Sequence, residues 1–323
     1  MSGQVTIGAF REVVFSVNNL ESSVDFYEKV AGWAIVNRGV ASANQATFWQ
    51  LDPQVKIEYV LLKEAKSESG YLRLVKFHGV EQQVIRSSAR TWDIGGIYDV
   101  NVRVHDIWTK FKMLRSLGWH GVTDPIEYSF SGLVVKEVLV RGHDDVVFAL
   151  IERVHPPLQA DNTFKEMSRV FNSSQIVADV GAEVDFYTTK LGFTLAFRGK
   201  IDFEKDQPNV LGLPYNLAET SPDVAILSPH ADGSVNGSME FLTIPNAKGM
   251  NFADRAIPPN LGILTLRYPV SDIDAYYARL LEHEVQIIAP PTEVEIAPYG
   301  IVKIMAIRTL NGTWLEFFEV TNG

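Results

Sequence analysis

The chain has 323 residues, enough for two domains at roughly 100–200 residues each. With 46% hydrophobic residues, 21% charged residues and no cysteine, its composition excludes wholesale disorder, disulfide scaffolds, thiolate metal sites and cysteine nucleophiles. A formal net charge of −10 offers no positive field to nucleic acid or an anionic membrane. The opening MSGQVTIGAF lacks a basic region followed by an apolar run, and no stretch stays apolar for ~18 residues, so we expect no signal peptide, no membrane span and a cytoplasmic location.

In chain order, the first strand pattern is Glu12–Val17, which places Val13, Phe15 and Val17 on one face and Glu12, Val14 and Ser16 on the other. Leu20, Val24 and Tyr27 follow at i, i+4 and i+7, after the capping residue Asn19 and before the terminator Gly32, which is the pattern of a short amphipathic helix. Strands are expected over 48–51, 57–62 and 71–77. A second unit opens after Gly96, with Asp99, Asn101 and Arg103 on one strand face. Its helix carries Ile107, Phe111 and Leu114 behind Asp106, with Gly118 near its end, and strands follow at 133–140 and 146–151. A third helix has Val180, Val184 and Tyr187 behind Asp179, with strands at 224–227 and 238–244. A fourth has Ile273, Tyr277 and Leu280 behind Asp272, with strands at 301–307 and 314–318.

These units are copies. Val24-Asp25-Phe26-Tyr27, Gly32 and Arg38-Gly39 recur without a gap as Val184-Asp185-Phe186-Tyr187, Gly192 and Arg198-Gly199. Further on, Gly96-Ile97 and Asp106-Ile107 recur as Gly262-Ile263 and Asp272-Ile273. The reading is a first module over 1–153, a Pro-rich linker over 154–165 and a second module over 166–323. Each module contains two β-α-β-β-β units. One unit cannot cover both faces of its small sheet, so units pair. The fold class is α+β, with four βαβββ units forming two curved-sheet cups. The long segments 200–220 and 246–259, rich in Pro, Asn and Asp, suggest a lid over the second cup. The seven histidines sit in turns or at element ends, with no helical i, i+4 pair.

Glu12-Val-Val-Phe-Ser-Val17 with Asn19-Leu20, Phe26-Tyr27 and Gly32, and the closing Asn311-Gly312-Thr-Trp-Leu-Glu316-Phe-Phe-Glu319, resemble the vicinal oxygen chelate superfamily of glyoxalase I, extradiol dioxygenases, bleomycin- and fosfomycin-resistance proteins and methylmalonyl-CoA epimerase. The resemblance implies metal-ligand positions on the first and last strands of each paired unit. In the first module these are Glu12, Arg73, Asp99 and Ala149. Arginine has no lone pair for a metal, and alanine has no ligand atom. Glu12, Arg73 and Asp99 then form a buried ion cluster, or Arg73 or Arg103 grips a substrate carboxylate or phosphate.

In the second module the same positions are Asn172, Glu240, Thr265 and Glu316. This all-oxygen set admits Mg²⁺, Mn²⁺ or Ca²⁺ held by Glu240 and Glu316. Without a metal, two crowded carboxylates can act as acid and base, or the residues are vestigial. The functional expectation is a small oxygenated ligand in the second cup, with Glu240 and Glu316 catalytic in isomerase, lyase or epimerase chemistry. The alternative is non-catalytic binding of the resistance-protein kind. Extradiol ring cleavage is the weakest reading, because the imidazole positions are gone. No cofactor beyond a divalent cation is implied, and the chain would act as a monomer or homodimer.

Overall fold

The computed structural model describes residues 5–130, 132–158, 164–204 and 206–320. Part of the expected linker, 159–163, lies outside them. Four units follow one another. The first is β1 (Glu12–Ser16), α1 (Leu20–Ala31), β2 (Ala34–Val40), α2 (Ala43–Phe48), β3 (Ile57–Lys63) and β4 (Tyr71–Phe77). The second is β5 (Asp99–Arg103), α3 (Ile107–Ser116), β6 (His120–Gly121), β7 (Ile126–Phe130), β8 (Leu133–Arg141) and β9 (Val147–His155). The third is β10 (Asn172–Ile176), α4 (Val180–Asp185), β11 (Thr194–Lys200), α5 (Tyr215–Ala218), β12 (Asp223–Ser228) and β13 (Ser238–Thr243). The fourth is β14 (Gly262–Pro269), α6 (Ile273–Glu282), β15 (Ile287–Glu295), β16 (Ile301–Arg308) and β17 (Trp314–Val320).

The helix starts are set by local chemistry. Asn19, Asp106, Asp179 and Asp272 each accept a hydrogen bond from the free backbone N–H three residues on, at Ser22, Thr109, Ala182 and Ala275. Gly32 and Gly192 leave their helices in the left-handed region (φ 69° and 85°), which a side chain would strain. The third helix differs from its copies: α4 passes into a π turn over Phe186–Leu191, where the Thr188 hydroxyl donates to the Val184 carbonyl (2.7 Å).

The pairing of units departs from the expectation that each half folds onto itself. One sheet runs β15-β16-β17-β14-β1-β4-β3-β2 and so joins the first unit to the fourth. The other runs β11-β12-β13-β10-β5-β9-β8-β6 and joins the second to the third. The central contacts are antiparallel: Glu12 faces Arg267 across β1 and β14, and Asn172 faces Asn101 across β10 and β5. The largest apolar core takes in Val24, Phe111, Tyr187 and Tyr276 from the four helical segments, together with the helix-facing strand residues Val13, Phe15, Val100, Val102, Phe241 and Phe317. Two smaller clusters line the concave faces, one per cup. The interior of the first cup is largely filled by Val14, Phe77, Val302, Ile304 and Phe318. Among the described residues no helix is long and apolar enough to cross a membrane.

The pairing can be tested with fragments. Residues 1–153 alone leave β1 and β5 without β14 and β10, so near-ultraviolet circular dichroism should show no cooperative melt. Mixing with a fragment carrying 164–323 should restore one. A cooperative melt of the isolated first fragment would show that pairing across the halves is dispensable.

Candidate functional site

The first cup, between units one and four, is closed by charge. Arg73 holds Glu12 through two parallel bonds, Nε to Oε2 and Nη2 to Oε1, each 2.7 Å. Arg267 bridges the two units: its Nη1 donates to Glu12 Oε2 (3.0 Å) and its Nε to Glu316 Oε2 (2.6 Å). Glu316 Oε1 accepts from the Trp49 indole (2.7 Å) and the Trp314 indole (3.1 Å). Tyr299 donates to Glu12 Oε1 (2.8 Å), and Arg73 also reaches the Ala297 carbonyl (2.7 Å). All four charged side chains are buried. Burial alone would raise the Glu12 pKa, but the charges and hydrogen bonds of Arg73 outweigh it, helped by Arg267 and Tyr299, and the carboxyl falls to about 2. A cavity of ≈ 530 Å³ remains beside Trp49, Tyr59 and Arg73. The buried carboxylate oxygens next to it, those of Glu12 and Glu316, are already engaged.

The second cup, between units two and three, is open. Its cavity, ≈ 1110 Å³ when the space open to solvent is counted, is walled by apolar and aromatic side chains including Tyr128, Phe130, Leu139, Phe171, Val210, Leu211, Ile226 and Leu242. Val210 and Leu211 come from the segment after β11, which therefore does contribute a wall. The segment 246–259 instead packs beside 92–96, with the Met250 N–H on Asp93 and the Phe252 N–H on the Ile94 carbonyl.

Three carboxyls face this cavity: Asp99 from β5, Glu137 from β8 and Glu240 from β13. Burial raises each. Asp99 rises to about 7, with Glu137 adding to the rise and Ser174 hydrogen bonds opposing it. Glu137 rises to about 7 against a hydrogen bond from Tyr128. Glu240 rises to about 8, pushed further by Glu137 and Asp99 and only partly relieved by Asn172. The Oδ1 atom of Asp99 has no partner.

The expected quartet is thus divided. Asn172 and Glu240 share the second cup with Asp99 and Arg103, whereas Thr265 and Glu316 belong to the sheet that carries Glu12 and Arg73. Asp99 is not part of the Glu12–Arg73 cluster. Thr265 directs its hydroxyl to the Leu266 carbonyl (3.2 Å), and Arg267, two residues on, fills the position facing Glu12. Thr265 and Arg267 share one face of β14, so the alternation is right in phase and one in-phase step short, as it is between Asp99 and Asn101 in β5. Glu137, Tyr128 and Arg153 were not anticipated. Glu137 had a legible signal: it stands in phase with Leu133, Val135 and Leu139, and all four line the cavity.

Comparison with known proteins bears on this architecture. The model of the Glyoxalase/Bleomycin resistance protein/Dioxygenase superfamily matches residues 170–317, the third and fourth units. This stretch, just under half of the chain, is similar to that superfamily. Glyoxalase I from Zea mays has the same fold over both chains, at TM-score 0.63 and 14% identity, covering 98% of this chain and 93% of that one. A point mutant of that maize enzyme gives 0.65 at 14% identity, covering 98% and 94%. At that identity the likeness concerns the fold alone. No curated protein matches the sequence.

In this superfamily the resemblance implies four metal-ligand positions per cup. In the observed pairing these fall on Glu12, Arg73, Arg267 and Glu316 in the first cup, and on Asn101, Ala149, Asn172 and Glu240 in the second. Neither set fits a divalent cation. In the first, two guanidiniums occupy the carboxylate oxygens. In the second, alanine has no donor and the one carboxyl is held toward its neutral form. Among the described residues no three His, Asp or Glu side chains converge as a metal site.

Two stability predictions follow from these charges. Arg267→Met leaves Glu316 buried without its cation and should cost about 3–5 kcal/mol in urea unfolding; a loss below about 1 kcal/mol would show the network to be idle. In the second cup the folded state holds protons that the unfolded chain releases above the ordinary carboxyl range. Stability should therefore fall as pH rises from about 4.5, where Glu240 ordinarily titrates, to about 8. Glu240→Gln should flatten that decline in a series of melts across pH. The Glu12 network acts in the opposite direction, losing stability only as pH drops from 4.5 toward 2.

Proposed function

We propose that the second cup binds a small, largely apolar molecule bearing a carbonyl or hydroxyl oxygen, and that Glu240 moves a proton on it in isomerase, epimerase or lyase chemistry. The observation that carries this reading is that three carboxyls, raised to about 7 to 8, line one largely apolar cavity. An acid–base group is most effective when its pKa lies near the working pH. Asp99 or Glu137, at about 7 the first of the three to ionise, accepts a proton from carbon beside a carbonyl. The C–H electron pair enters the new C=C bond, and charge moves to the carbonyl oxygen. Glu240, at about 8 still protonated, passes a proton to that oxygen as the charge develops and takes it back as the carbonyl re-forms. Return of the proton to the other face or to a neighbouring carbon completes the reaction without a change of oxidation state. Asn101, Asn172 and Ser174 offer further polar contacts on the same face.

Glu316 has no part in this reading, because its oxygens are held by Arg267, Trp49 and Trp314. No divalent cation is invoked, since the donor set does not suit one. Ring cleavage of the extradiol kind is set aside on the same chemistry: the four positions hold no imidazole.

The openness of the cavity and its mainly apolar wall also favour a second reading, a non-catalytic binder. One pair of measurements separates the two. The neutral fluorophore N-phenyl-1-naphthylamine should bind the wild type, and Ile226→Trp, which fills the cavity, should reduce binding at least tenfold. Aromatic ketones incubated in D₂O should exchange their α-hydrogens with wild-type protein, and Glu240→Gln should slow this by about 10²–10⁴-fold while still binding the fluorophore. Fluorophore binding without any exchange by the wild type would leave the binder and remove the enzyme.

A further inference from the structure

Resting on the reading of the second cup as a ligand site, the arginines in its wall narrow the ligand's class. We infer that Arg103 and Arg153 form an anion subsite, so that the ligand is an amphipathic carboxylic acid: an apolar body with a carboxylate at one end and a second oxygen function near Glu240.

Arg103 from β5 and Arg153 from β9 both line the cavity. They lie on adjacent parallel strands, with Arg103 beside Ile151 and Arg153 one in-phase step further along. Among the described residues neither side chain has a carboxylate partner. Arg103 is laid against the Phe171 ring, 4.2 Å from its centroid, so the planar group is held in place by stacking with its N–H edges uncommitted. The Arg153 Nε atom is buried and has no hydrogen-bond partner. Burial, and then the neighbouring charges of Arg153 and Arg169, lower the Arg103 pKa to about 10, which marks a site of accumulated positive charge.

Among the described residues the fully buried guanidiniums of Arg73 and Arg267 sit on Glu12 and Glu316, and that of Arg86 donates to the Asp93 and Gly95 carbonyls, although single nitrogens of Arg86 and Arg267 stay without a partner. Arg103 and Arg153 are half-buried and have no such acceptor, which leaves their N–H groups free for an anion in the cavity. A carboxylate suits the planar fork and accepts two parallel N–H bonds.

Placement sets the rest of the ligand. On β5, Asp99, Asn101 and Arg103 face the cavity in turn, so the acid end and the arginine end are separated by four residues, roughly 13 Å along the strand. Beyond Arg153, β9 becomes exposed at Val154 and His155, which sets the arginine end toward solvent. Asp99 and Glu240 stand level with one another on either side of Ser174 at the other end, whereas Glu137 stands level with Arg103 across Ile151. Leu139, level with Asn101 across Ala149, lies between the two ends. The carboxylate would therefore anchor near the mouth, and the reacting or recognised oxygen would sit at Asp99 and Glu240.

The test uses the full chain and displacement of N-phenyl-1-naphthylamine. 3-Phenylpropanoate should displace the fluorophore at a concentration at least tenfold lower than its neutral amide, 3-phenylpropanamide. Arg103→Met and Arg153→Met should bind the fluorophore as the wild type does, which verifies the fold, and bring acid and amide to parity. Arg103→Lys should retain part of the preference. Equal displacement by acid and amide in the wild type, or a preference that survives the double Met variant, overturns the anion subsite and leaves the cup reading intact. Phenylphosphonate displacing at tenfold lower concentration than 3-phenylpropanoate overturns the carboxylate assignment. Failure of the fluorophore itself to bind the wild type sinks the cup reading and this inference with it.

Discussion

A guanidinium between two carboxylates holds this molecule's two most distant sequence segments together. Arg267 on β14 touches Glu12 near the start of the chain and Glu316 near its end, and Arg73 completes Glu12 from the other side. Removing four charges from water is expensive, and only short, well-aligned bonds offset it. The pairing of the first unit with the fourth supplies those bonds within 3.0 Å to every member. Polar hydrogens from Trp49, Trp314 and Tyr299 engage the carboxylate oxygens further. The cup so built has little chemistry left to offer.

The second cup is the consequence of the same scaffold without the cations. Its corresponding positions carry two amides, an alanine and one glutamate. No guanidinium bonds its acids, and the Arg86 charge offsets little of the rise at Asp99, so burial and mutual repulsion dominate and the carboxyls are held toward their neutral forms. Small side chains at these positions leave room, and the wall around them is apolar. Its two arginines stand further along the strands from Asp99 and Glu240, with Arg103 level with Glu137 across Ile151. One duplicated architecture thus carries a charge lock in one cup and a polarised cavity in the other, as expected when function lies in the site and not in the fold.

Much of this was readable from local pattern. The four amphipathic helices begin where Asn19, Asp106, Asp179 and Asp272 offer a capping oxygen, because a cap needs only its own turn. Alternation placed Asp99, Asn101 and Arg103 on the cavity side, because strand geometry fixes which residues share a face. It reached Glu12 but stopped at Thr265, one in-phase step short of Arg267, because alternation fixes the face and not the partner across strands, and it passed over Glu137 although the phase of β8 pointed to it.

By itself the sequence determined the repeated unit, its α+β character, its superfamily resemblance and the residues available to the cup faces, since each depends on spacing within a few turns or strands. Which unit closes on which was decided only in three dimensions. A free sheet edge accepts any complementary neighbour, and the choice rests on contacts between residues such as Glu12 and Arg267 that lie at opposite ends of the chain. That choice separated Glu240 from Glu316 and brought Glu240 to Asp99 and Glu137.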